Sequence, residues 1–320
     1  MDYSQYFKLL KEKNTGGLFL FHGPEEFVKQ SALLQTIEQV DTVARDLNVL
    51  EVKAPAAQAV LDACETLPFF AERRLVICYE MADSELKLLL PKAKDIPPTT
   101  TLIIYVRGAC KKDILTLAKP FDVLFDQLNE SEALRFVEKR ARAANARLSS
   151  ACARLIVEMV GTEAHTLQNE LLKLTQYVGA DGEITPEIIR ELITPSPEYE
   201  FFGLLDKLLS GKKAQGLIAF KHMLKNDPGS AFLLAHSFER QLKNMYGARL
   251  LLDANVNERD IPQKLALKPW AARTALRGAR RMTAKTLKAA LIDFAQVDHL
   301  QVSGQMPAAQ ALEIAILKYF

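Results

Sequence analysis

The residues best placed to do chemistry lie near the start of the chain. Leu18-Phe-Leu-Phe-His-Gly-Pro-Glu-Glu-Phe-Val-Lys29 reads as an apolar strand, a glycine turn and the opening of a helix. A phosphate-binding loop would sit there, its backbone N–H groups around a triphosphate and its Ser or Thr hydroxyl on magnesium. The required second glycine followed by Lys and Ser or Thr is missing. Pro24 removes a donor, and Glu25 and Glu26 would repel a triphosphate by on the order of several kcal/mol. Acids in a first helical turn are favoured by the helix dipole, which is reason enough for both glutamates. The loop therefore reads as a degenerate nucleotide site. An atypical P-loop ATPase is the alternative, and nucleotide titration separates the two.

No other catalytic set stands out. The histidines His22, His165, His222, His236 and His299 are scattered, with no H-E-x-x-H spacing and no G-x-S-x-G elbow. Cys64, Cys78, Cys110 and Cys152 form neither a C-x-x-C pair nor a Cys-His cluster, so they read as reduced core cysteines of a cytoplasmic protein. The expectation is no catalytic residue, no metal and no cofactor.

Two features point to binding instead. In Leu67-Pro-Phe-Phe-Ala-Glu-Arg-Arg-Leu-Val-Ile77, adjacent phenylalanines sit where a helix stops and a strand begins. Neighbouring side chains do not share one face of either element. Phe69 and Phe70 are therefore either a corner of the core or a pair with at least one ring turned outward. The second feature is cationic. Between Ile261 and Ile292 lie Lys264, Lys268, Arg273, Arg277, Arg280, Arg281, Lys285 and Lys288 with no acid among them. The net charge is +2, so the rest of the chain carries −6. Arg273, Arg277, Arg280 or Arg281, and Lys288 fall on one side at helical steps, with Leu276, Leu287, Leu291 and Phe294 on the other. Trp270, the only tryptophan, heads the segment. A solvated basic face and a phosphate-binding face with a stacking tryptophan both fit.

The elements that must hold these residues follow from periodicity. Leu18–His22, Asn48–Val52, Leu75–Tyr79, Thr101–Val106 and Phe121–Phe125 are short apolar strands. Helices fill the intervals, from Glu25 to about Val40, from Ala56 to Leu67 and from Ser84 to Lys94. Apolar strands alternating with helices imply a parallel sheet covered on both faces. Beyond Asn129 the strand signal stops. A helix starts with Ser131 as N-cap, and others cover Leu148–Val160, Thr162–Tyr177 and Pro186–Ile193. Thr194-Pro-Ser-Pro-Glu198 reads as a linker, and helices fill the remainder. The 320 residues thus divide into an α/β domain (1–129), a small helical domain (130–195) and an all-α C-terminal domain (196–320). With 49% hydrophobic residues, no signal-peptide pattern and no run as long as a membrane span, the expectation is a soluble, cytoplasmic protein.

In this order the pieces resemble the delta subunit of the bacterial DNA polymerase III clamp loader over nearly the whole chain. The matching stretches are Leu18–Phe27, Leu67–Val76, Leu102-Ile-Ile-Tyr-Val-Arg-Gly108, Asn169-Glu-Leu-Leu-Lys-Leu174, Phe201–Gly211 and Ala311-Leu-Glu-Ile314. The resemblance implies an AAA+-like N-terminal domain without ATPase function, a helical lid and a helical collar. It implies assembly with the ATPase subunits and the delta-prime subunit, binding and opening of the sliding clamp, and loading on primed DNA. It places Phe69 and Phe70 in the clamp and puts Trp270 near the primer end; Leu67 is counted with the clamp-binding residues, as one that packs the supporting helix. Arg273, Arg277, Arg280 and Arg281 become the candidate DNA contacts beside it. A lysine that many relatives carry before the last glycine turn has no counterpart in Asp298-His-Leu-Gln-Val-Ser-Gly304, so no DNA contact is expected there. A helical DNA-binding adaptor unrelated to clamps is the remaining alternative.

Overall fold

All five expected strands form. β1 (Gly17–His22), β2 (Val49–Lys53), β3 (Arg74–Tyr79), β4 (Thr100–Tyr105) and β5 (Asp122–Leu124) make one sheet in the order β2-β3-β4-β1-β5. Every neighbouring pair is parallel, as strands alternating with helices require. The computed structural model describes residues 1–40, 45–226, 230–267 and 269–320, without the side chains of residues 225, 226, 269 and 270.

Side-chain alternation splits the strands between two cores. Leu18, Leu20, Val76, Cys78, Leu102 and Ile104 pack against helices Ala57–Glu65, Asp83–Leu89 and Lys112–Ala118. Phe19, Phe21, Leu75, Ile77, Ile103 and Tyr105 face the other way, towards helices Tyr3–Lys11 and Glu26–Glu38. That second core continues without a break into helices Glu130–Ala143, Ser150–Val160, Ala164–Val178 and Pro186–Leu192, through residues such as Val137, Ile156, Leu171 and Ile189. Residues 1–194 therefore form one compact unit, and residues 195–320 form another.

Several local expectations need correcting. The helix expected to start after Ser131 is capped by Asn129, whose side chain accepts the Glu132 N–H while Glu132 answers the Asn129 N–H. Ser131 only donates to the Asn129 side chain. Strand structure does not end at Asn129: Arg147–Leu148 pairs in parallel with Glu183–Ile184. Pro197 belongs to a helix rather than a linker, because Ser196 caps Pro197–Leu209 by accepting the Tyr199 N–H. The helix after β2 stops at Glu65, two residues short of Leu67.

The C-terminal unit is helical throughout its described residues. Its core gathers Phe201, Leu204 and Leu208 with Phe238, Leu242 and Met245, and with Leu287, Phe294, Leu312 and Ile316. The Phe238 ring meets Phe201 edge-on at 5.0 Å and Phe294 at 4.8 Å. The basic segment is not one helix. Pro269–Arg281 ends, and Thr283 caps a new helix, Ala284–Ala295, by accepting the Thr286 N–H. Lys288 therefore does not continue the arginine face. Helix Pro269–Arg281 lies close against helix Ser230–Asp253, where a Cβ on Gly278 would come within 2.4 Å of Met245 Sδ.

Candidate functional site

The loop after β1 is closed on itself. Gly23 has φ +116°, and a Cβ there would lie 2.2 Å from the Phe125 carbonyl oxygen, so only glycine fits. The N–H groups that would face a phosphate are spent on carbonyls. Gly23 N–H donates to Gly108 O at 2.7 Å, Glu25 N–H to Phe125 O at 3.0 Å and Glu26 N–H to Pro24 O at 3.0 Å.

The space beyond those amides is filled by side chains. Lys29, 0% exposed, donates to Gly23 O at 2.9 Å, to Val106 O at 2.8 Å and to Glu26 Oε1 at 2.7 Å. Glu26 also accepts the Gly108 N–H at 3.0 Å and the Tyr105 hydroxyl at 2.8 Å. Burial would raise the Glu26 pKa, but Lys29, Gly108 and Tyr105 outweigh it and hold the carboxyl below its ordinary range. Lys29 is wholly enclosed, so burial dominates and its pKa falls despite the glutamate.

A cleft of 390 Å³ opens beside this pair, lined by residues that include Pro24, Glu25, Phe27, Glu163 and His165. Helices Glu26–Glu38 and Ala164–Val178 both point their N-termini at it. Helix N-termini attract anions, and here the chain supplies its own. Glu163 accepts the Thr166 N–H, and the Glu25 carboxyl faces the N–H groups of Val28 and Phe27. Burial raises the Glu25 pKa against those donors. Among the described residues no cluster of His, Cys, Asp or Glu is arranged to hold a metal ion.

The corner at 66–73 has the opposite character. Phe70 is 87% exposed, Leu67 74% and Phe69 54%. The core-corner reading therefore fails for both rings, and Leu67 does not pack the supporting helix, because that helix has already ended. The two rings meet edge to face with centroids 4.6 Å apart. Phe70 holds φ +48°, a left-handed backbone that a residue with a Cβ rarely adopts.

The backbone beneath these rings is tied at several points. Asn48 donates its amide to Phe69 O at 2.8 Å and accepts the Phe69 N–H at 2.7 Å. Arg74 donates to Ala63 O at 3.0 Å and to Leu47 O at 3.0 Å, and Thr100 Oγ1 to Cys64 O at 2.9 Å. These donors answer the carbonyl end of helix Ala57–Glu65, where a cation is also favoured by the dipole. Arg73 reaches the Lys13 carbonyl at 2.6 Å. An apolar tip of three exposed side chains thus stands on a braced turn.

Of the proposed DNA contacts, Arg273, Arg277, Arg280 and Arg281 are carried on one helix, Pro269–Arg281. Arg277 pairs with Asp206, Arg280 grips Glu258 with two nitrogens, and Arg281 donates to the Leu209 carbonyl. Lys285 and Lys288 belong to the next helix and make no ion pair among the described residues. The Trp270 side chain and Lys268 lie outside the described residues. Lys29 and Asn48 escaped the sequence reading. The Glu26/Lys29 spacing of one helical turn was a usable signal for the first. Nothing local marks the second.

Comparison with known proteins bears on both units. Residues 19–132 match a family model described as DNA polymerase III, delta subunit, and residues 198–319 match one described as DNA polymerase III delta subunit, C-terminal domain. The Bacillus subtilis (strain 168) protein called DNA polymerase III subunit delta is 23% identical over 97% of this chain and 95% of its own length. A solved structure, described as the Bacillus subtilis DNA clamp loader delta protein, shares the fold with a TM-score of 0.63 at 20% identity, over 99% of this chain and 98% of that one. With the two halves of one family met in order on its sheet unit and its helical unit, this chain belongs to the DNA polymerase III delta-subunit family.

Proposed function

We propose that this chain is the clamp-opening subunit of a clamp loader, and that it grips the sliding clamp through Phe69 and Phe70 with Leu67 beside them. The observation that carries the reading is the exposed apolar tip on a braced corner. Large rings left in water are rare without a partner, and interface energy concentrates in a few central anchors. Burying a phenylalanine from water is worth roughly 1.5–3 kcal/mol. Opening follows from differential affinity: the tip binds the sprung clamp better than the closed one and shifts its population.

The closed loop after β1 supports a role without ATP hydrolysis, so the energy would come from ATPase subunits beside it. The helical unit would join those subunits and the delta-prime subunit, with primed DNA near Trp270 and the arginines of helix Pro269–Arg281. The relative described as a DNA clamp loader delta protein fits the same assignment.

The test is capture of the full-length chain on the sliding clamp. Phe70→Ala is expected to weaken binding roughly tenfold or more, for a cost of about 2 kcal/mol. The Phe69/Phe70 double alanine is expected to abolish capture. A folded double variant that still binds at full strength would discard this reading in favour of an adaptor unrelated to clamps, and measurable ATP affinity would reopen the nucleotide site.

A further inference from the structure

We propose that Asn48 is a positioning residue for the clamp-gripping tip. The inference rests on the reading of Phe69 and Phe70 given above. Asn48 ends the short helix Arg45–Asn48, immediately before β2, and is 0% exposed. It is therefore screened from any partner seated on the surface. Its amide nevertheless takes both backbone groups of Phe69, a residue 21 positions away.

The geometry gives this pairing a specific consequence. The Phe69 carbonyl belongs to the peptide unit that leads into Phe70, so holding that oxygen holds the plane from which Phe70 turns. Phe70 then sits at φ +48° with its ring exposed and edge-on to Phe69. A residue with a Cβ does not stay in that backbone region unless its surroundings impose it. Released from Asn48, the turn relaxes towards ordinary backbone angles, and the two rings no longer leave the corner together. Apparent affinity falls with the fraction of molecules that hold the competent arrangement. Arg74 braces the base of the corner through Ala63 and Leu47, whereas Asn48 is bonded to the backbone of a tip residue itself.

The experiment is a double-mutant cycle between Asn48→Ala and Phe70→Ala in the full-length chain, read as clamp Kd, with thermal unfolding of each variant as control. Asn48→Ala is expected to weaken clamp binding roughly tenfold while both rings remain present. In the Phe70→Ala background it should cost clearly less, because one of the two rings it positions has gone. Asn48→Asp keeps the acceptor for the Phe69 N–H and loses the donor to Phe69 O, so it should fall between wild type and alanine. It also replaces alanine in the cycle if Asn48→Ala does not fold. Full additivity, with equal losses in both backgrounds, would show a general structural residue and overturn the proposal. So would wild-type affinity of Asn48→Ala alongside a weakened Phe70→Ala, which leaves the clamp-binding reading intact. If Phe70→Ala itself binds normally, that reading fails and this one with it.

Discussion

Lys29 Nζ lies 2.7 Å from Glu26 Oε1, one turn away on the same helix, and the pair occupies the strand ends where a nucleotide phosphate would be received. The ammonium also holds the Gly23 and Val106 carbonyls. Lys29→Met removes three donors at once and strands an acid beside two buried carbonyls. The expected loss is about 3 kcal/mol of folding stability, read from denaturant midpoints, with no gain in ATP affinity. Unchanged stability would mean that the pair is dispensable packing.

Glu25 provides a pH test. Its pKa is raised in the folded chain by burial, so the native state holds the proton more tightly than the unfolded one. Stability contributed by the protonated acid is full below the unfolded carboxylate pKa and is lost as pH rises through the folded value. Glu25→Gln is neutral at every pH. It is expected to raise Tm by a few degrees at about pH 8, with the advantage shrinking towards about pH 4. A constant difference across that range would show that ionisation of Glu25 is not the cause.

Gly23→Ala probes the closed loop directly. The added methyl would press on the Phe125 carbonyl at 2.2 Å, in a backbone conformation that already disfavours a Cβ. The expected cost is about 2–3 kcal/mol, measured by thermal or denaturant unfolding. A near-neutral result would indicate that β5 yields easily.

The arginine face calls for substitutions that respect its ion pairs. Arg277→Gln with Arg280→Gln is expected to weaken binding of the assembled loader to primed DNA. The salt slope should fall by about one for each phosphate no longer neutralised. Asp206→Asn with Glu258→Gln frees the same two guanidinium groups and is expected to act the opposite way. If neither pair of changes moves DNA affinity, the face is a solvated, internally paired surface.

Much of the sheet unit was legible because its inner strands β1, β3 and β4 are buried on both faces, so each reads as a nearly unbroken apolar run. The strand pair Arg147–Leu148 and Glu183–Ile184 was not, since two residues show no period. Ser131 was mistaken for a cap because Ser and Asn are equivalent by type. The choice fell to Asn129, whose capping box closes with Glu132. Periodicity left Phe69 and Phe70 undecided, because a corner has no face to count; the family resemblance turned at least one ring outward, and the structure exposes both. Leu67 was misplaced because the apolar stripe Val60, Leu61, Cys64 extends to it on paper, while the helix ends at Glu65. Asn48 was invisible for another reason. Its partner is distant in sequence, and an asparagine beside a strand carries no sign of what it will bind.

The left-handed turn at Phe70 also limits how the tip can vary. Glycine and asparagine suit that backbone but discard the ring, whereas valine and isoleucine keep apolar surface but branch at the Cβ, where the turn is tightest. Few side chains satisfy both demands. On the proposed reading, the repertoire open to this position would be set jointly by a partner that selects for grease and a main chain that vetoes shape, and substitution there should be conservative even where the partner's pocket would tolerate more.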